Sequence, residues 1–170
     1  MQTKEYFIQL TKAELPATLA AMRAVPAEND SYSPSPKTRS ARMIVSHLIG
    51  HPLDLIEGIE SGSFNHRNQS EFTSYDEAAL QYEADTNKFL GMIEATDEKT
   101  WDEKPIDFHL YGSKIFSRSL RDMCFDFHAD TLHHRGQLST YYRPMGVKNP
   151  VIYGTTKELE EERMATTANQ

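Results

Sequence analysis

The chain has 170 residues, a formal net charge of −7 and one cysteine, Cys124. That length suits one domain around one hydrophobic core, and an acidic chain with no Lys/Arg cluster on any segment argues against a nucleic-acid partner. A lone thiol excludes an intrachain disulfide and a CxxC metal site, which makes a reducing, cytoplasmic setting the expected one.

No internal repeat is visible, no charged-then-apolar leader pattern opens the chain, and no apolar run approaches the roughly 18 residues of a membrane span. Residues 3–24 start at Thr3, a good N-cap, and set Phe7, Leu10, Leu15, Leu19 and Met22 at helical spacing. Pro16 lies inside that pattern and should kink or split it. Residues 25–40, rich in Pro, Ser and Asn, read as a loop. A second helix is predicted over about 39–61, with Ile44, Leu48, Leu55 and Ile59 on one stripe and His47 and His51 on or beside it. Pro52 should distort it. Residues 61–74 are a polar loop.

A third helix, about 75–95, turns Ala79, Tyr82, Thr86, Phe89 and Ile93 inward and Glu77, Glu83, Asp85 and Lys88 outward. Residues 96–102 suggest a short helical turn. The stretch IDFHLYGSKI (106–115) has the look of a short extended pair, but a loop is expected. Ser117 or Ser119 caps a fourth long helix that runs to about Arg143 and ends at Pro144 and Gly146. The tail is expected to hold one acidic helical turn and a frayed end. The fold class predicted is all-α: a four-helix bundle in one domain over 1–155, followed by a tail at 156–170. The long connections at 25–38 and 97–116 permit a crossover topology.

The stretch DTLHHRGQL (130–138) carries the chemistry. On a helical wheel Met123, Phe127, Asp130, His134, Leu138 and Tyr141 share one face, and its apolar members make that face the buried one. Asp130 and His134 stand one turn apart and can converge on one atom. A carboxylate and a neutral imidazole are good ligands for a borderline divalent metal. His47, on the inner side of the second helix, is the best third ligand. Each residue also has a plainer reading. A lone inward histidine is commonly a hydrogen-bonded core residue, and an Asp and His at i, i+4 commonly pair on a helix surface. Burying an uncompensated carboxylate costs several kcal/mol, which favours a cation beside Asp130.

Among the neighbours, His133 points about 100° away from His134 and faces an adjacent helix or a partner subunit. Gly136 costs about 1 kcal/mol in a helix interior, and close approach of another helix would explain it. Arg135 and Gln137 either anchor the segment after the helix, bond an inward group, or are solvated. His51 and Tyr141 are pocket-lining residues for a bound cofactor. Cys124 is a small core residue, since Asp122 and Asp126 are a poor setting for a reactive thiolate. His66, His109 and His128 fall off the convergence and are unassigned.

HHRGQLSTYYRPMG followed by VIYG, with RSARMIVSHLIGH upstream, resembles the DinB/YfiT-like family over roughly 3–155. The resemblance implies a four-helix bundle, commonly dimeric, with a divalent metal (nickel, zinc or iron) held by three histidines. Two of these match His47 and His134. The third falls at position 130, which is Asp130 here. A carboxylate at that position either serves as a harder ligand, suited to iron, manganese or zinc, or marks a weakened site; retained binding by His47, Asp130 and His134 is expected. The resemblance further implies a small-molecule substrate and S-transferase-like chemistry with a low-molecular-weight thiol as cofactor, or hydrolysis by activated water. The alternative is a non-catalytic bundle whose metal is structural or lost, acting through a dimer face or a small-molecule pocket.

Overall fold

Short polar side chains start the helices. Ser40, Ser74, Asp97 and Ser119 each accept a hydrogen bond from the backbone N–H three residues on, at Met43, Glu77, Thr100 and Asp122. The structure, a computed structural model, describes residues 3–168. Its elements are α1 (Thr3–Arg23), α2 (Ala41–Ser61), β1 (Ser63–Asn65), α3 (Tyr75–Ala95), α4 (Glu98–Glu103), β2 (Pro105–Leu110), β3 (Ser113–Ser119), α5 (Leu120–Tyr141) and α6 (Lys157–Ala168). Helices α1, α2, α3 and α5 make the bundle. α1 runs unbroken through Pro16, which is exposed, so the carbonyl left without a partner one turn earlier faces water. α2 also continues through Pro52.

Apolar side chains collect at the two ends of the bundle. One cluster gathers Leu19, Met22, Ile44, Leu48, Ala79 and Leu138. The other gathers Phe7, Leu55, Phe89, Ile93, Trp101 and Phe127. Each long helix contributes to both, so its direction can be read from the order. α1 and α5 run from the Trp101 cluster toward the Ile44 cluster; α2 and α3 run the other way. Consecutive α2 and α3 are therefore parallel, and their link must travel the length of the bundle. It does so at residues 62–74, where the Ser70 N–H donates to the Ser46 carbonyl at 3.1 Å and Ser46 Oγ donates to the Ser70 carbonyl at 2.7 Å. The crossover thus lies in the loop after α2, not in 25–38 or 97–116.

The expected loop at 106–115 is instead a hairpin. β2 pairs antiparallel with β3, and β1 lies parallel on the other edge of β2. Tyr111 and Gly112 both take positive φ (52° and 79°), the geometry that a two-residue hairpin turn demands. Phe108 stacks on Phe116 across the strands at 4.7 Å, and Ile106 and Phe64 bury into the Trp101 cluster. The tail beyond 155 forms α6, longer than a single turn, and is tied back by ion pairs Arg143–Glu158 and Lys148–Glu162. Arg135, 2% exposed, fastens the preceding VIYG segment: it donates to Glu14 Oε2 (2.6 Å), to Thr18 Oγ1 (3.2 Å) and to the Tyr153 hydroxyl.

Gly136 does not receive another helix. A Cβ built there meets nothing within 4 Å, whereas one built at Gly50 would lie 2.8 Å from Arg67 Cβ and 2.9 Å from its carbonyl oxygen. Gly50 is the groove in which the crossover loop is seated. Gly136→Ala is expected to stabilise the fold by about 0.5–1 kcal/mol through helix propensity. Gly50→Ala is expected to destabilise it by about 1–3 kcal/mol through overpacking. Urea denaturation of the two variants checks the opposite signs.

Candidate metal centre

Between the two apolar clusters every long helix carries polar residues: Thr18 on α1, His47 and His51 on α2, Thr86 on α3, and Thr131, His134 and Arg135 on α5, all buried. In this layer Asp130 Oδ2 lies 3.3 Å from His47 Nε2, 3.2 Å from His51 Nε2 and 3.4 Å from His134 Nε2. The ligand atoms of His47, Asp130 and His134 fall within 4.8 Å of one another. The three imidazole side chains are 2–5% exposed, whereas the Asp130 side chain is 44% exposed. The imidazoles make a floor and the carboxylate stands at the mouth.

Protons are scarce in this arrangement. His134 Nδ1 sits 2.7 Å from Gln137 Oε1, an acceptor, so the ring proton belongs on Nδ1 and the neutral ring turns a lone pair outward from Nε2. Arg39 Nη1 donates to that lone pair at 3.3 Å. His51 Nδ1 pairs with Thr131 Oγ1 at 2.9 Å, and His51 Nε2 faces His47 Nε2 at 3.2 Å, where at most one proton fits. His47 Nδ1 is buried and has no partner among the described residues. Burial pushes the His51 imidazole down to about 4 and lowers His47 as well, although the Asp130 carboxylate works against both shifts. Burial alone would raise Asp130, but imidazole N–H groups of the cluster hold its carboxyl well below the usual range. The site is a carboxylate facing neutral imidazole nitrogens, a donor set that suits a borderline divalent cation.

Of the residues singled out in the sequence, His47, Asp130 and His134 do converge, and His51 sits as close to Asp130 as they do. Tyr141 is buried elsewhere. Its hydroxyl donates to the Arg39 carbonyl at 3.2 Å and its ring meets Tyr32 edge-on, so it holds the segment that delivers Arg39. Gln137 orients His134, and His133 is exposed. Cys124 is buried, which pushes its thiol well above the ordinary range and leaves it a core residue. His66, given no role above, joins the cluster. Its ring centroid is 4.9 Å from that of His47, and its Nδ1 lies 2.7 Å from Oδ2 of the fully buried Asp54. Arg39 and Asp54 are likewise residues that helical periodicity alone does not single out.

His51 is expected to make the protein acid-sensitive. Its folded pKa of about 4 lies below the ordinary 6.5, so the unfolded chain takes the proton first and stability falls as pH drops from 6.5 toward 4. The Asp130 shift acts only below the ordinary carboxylate range, outside that window. Between pH 7 and pH 5 the loss due to His51 is expected to be about 2 kcal/mol. Urea midpoints at the two pH values check this, with a shallower fall expected for His51→Gln.

The comparisons agree with this architecture. The uncharacterised protein YjoA of Bacillus subtilis (strain 168) is 25% identical over 119 residues, covering 68% of this chain and 73% of YjoA. The crystal structure of that DinB-like protein superposes with a TM-score of 0.63 at 18% identity, covering 91% of this chain and 100% of the other. The model of the DinB family matches residues 1–164, and the chain belongs to that family.

Proposed function

We propose that the chain is a metal-dependent enzyme whose divalent cation is held by His47, Asp130 and His134. The observation that carries this reading is the single Asp130 oxygen 3.2–3.4 Å from three imidazole Nε2 atoms, with the His134 proton committed to Gln137. A carboxylate facing an outward lone pair is repulsive unless a cation lies between them. When bound, such a cation lowers the pKa of a thiol or a water and presents it to an electrophile. The reaction favoured is transfer to or from a low-molecular-weight thiol, with hydrolysis second, on a small-molecule substrate and in a homodimer. Asp130 at the mouth would offset half of a divalent cation's charge. Gln137 holds the His134 ring in register, as supporting groups do at metal centres. Arg39 sets a guanidinium at the rim, able to pair with an anionic group on the substrate.

A second reading rests on Arg39 itself. Its bond to His134 Nε2 occupies the lone pair a metal would use, as expected of a non-catalytic bundle in which a guanidinium stands in for a lost metal. Titration with metal separates the two. Protein purified without a histidine tag is expected to bind one equivalent of iron(II) under anaerobic conditions. Asp130→Ala and His134→Ala should each lose more affinity than the roughly 10–100-fold typical of removing a supporting group. A wild type that takes up no iron(II), zinc or nickel sinks the enzyme reading. With metal bound, turnover of an electrophile in a screen of small thiols is the expected activity, whereas unfolding on chelation would mark the metal as structural.

A further inference from the structure

We propose that His47, His51 and His66 form a second, all-imidazole cation position beside the one containing Asp130. Their ligand nitrogens lie within 4.8 Å of one another. The His66 ring stands nearly perpendicular to that of His47, with centroids 4.9 Å apart, and 6.1 Å from that of His51. The His66 Nδ1–H donates to Asp54 Oδ2 at 2.7 Å, which leaves a lone pair on Nε2. A buried carboxylate behind one ring nitrogen is the usual support of a metal-binding imidazole. His51 has the matching arrangement, with Nδ1 on Thr131 Oγ1 at 2.9 Å. His47, between them, is 1% exposed and keeps a buried Nδ1 with no partner.

Loop anchoring alone does not account for His66. Arg67 already ties the crossover to α2: its backbone N–H donates to Asp54 Oδ2 at 3.1 Å, and its guanidinium bonds Asp54 and Glu57. The loop gains further hold from Gly50, whose missing side chain lets Arg67 lie against α2, and from the His66 N–H donated to the His109 carbonyl at 2.8 Å. Together these place the His66 ring among the other imidazoles, with Phe108 and Phe127 at 5.2 and 5.7 Å. Three neutral imidazoles without a carboxylate favour nickel, copper or zinc over iron(II) or manganese. A neutral imidazole has one lone pair. The two positions share His47, so one cation occupies one or the other: a harder cation the Asp130 side, a softer cation the His66 side.

The test uses the full chain and nickel(II) chloride alone, by titration calorimetry, with circular dichroism confirming the fold of each variant. The Asp130→Ala/His134→Ala double variant is expected to bind one nickel ion, and adding His66→Ala should weaken that binding 100-fold or more. X-ray absorption at the nickel edge should count three imidazoles in the double variant, which keeps the test open if the triple variant does not fold. A double variant that binds no nickel, one whose affinity is unchanged by His66→Ala, or a count of two imidazoles or fewer overturns the proposal. The enzyme reading fails separately, if wild-type iron(II) affinity is untouched by Asp130→Ala.

Discussion

One carboxylate oxygen among three imidazoles constrains the whole bundle. A polar group placed in a helical core must be satisfied there, because the desolvation it suffers is not returned by apolar neighbours. This chain meets that demand by grouping most of its buried polar residues in one layer and leaving the apolar packing to the two clusters on either side. Each long helix therefore has a polar girdle at the same height, and a slip of one helix along another would set histidine against leucine. The layer fixes helix register as well as holding the chemistry.

Within the layer the two rows of candidate ligands behave differently. The α5 row, Asp130 and His134, is presented one turn apart on a single helix, with Gln137 a further turn along. The α2 row, His47 and His51, is nearly inaccessible and its rings contact one another. On the α5 side the cluster shows its carboxylate, Asp130, while the three imidazoles stay covered. The cavity of about 40 Å³ behind His51, bordered by Thr86, Cys124 and Thr131, has room for only a few waters.

The parts of this arrangement that depend on one helix at a time were legible in the sequence. Spacings of i, i+4 put Asp130 and His134 together, the apolar stripe of the second helix puts His47 inward, and Ser119, offered beside Ser117, does cap α5. What escaped was set by tertiary geometry. His66 sits in a loop with no period to read, and its place depends on Gly50, Asp54 and a parallel strand pair at once. The hairpin reads weakly in the sequence although Ile106, Phe108 and Leu110 alternate, because its turn is Tyr-Gly rather than Asn-Gly and the tyrosine must adopt positive φ. Gly136 misled in the opposite direction: a costly residue suggested a close contact, and the position faces open space.

The long return of the chain between α2 and α3 has a consequence for the order in which the molecule comes together. Contacts such as Asp54–His66 and Ser46–Ser70 span 12 and 24 residues, whereas His47–Asp130 spans 83 and Arg135–Glu14 spans 121. Short-range contacts close with less loss of chain entropy and so form early; long-range ones follow. The histidines of α2 and its return loop can meet while the rest of the chain is still open. Asp130 and His134 join them only through contacts that close far longer stretches of chain, so the complete cluster needs α5 docked on the bundle.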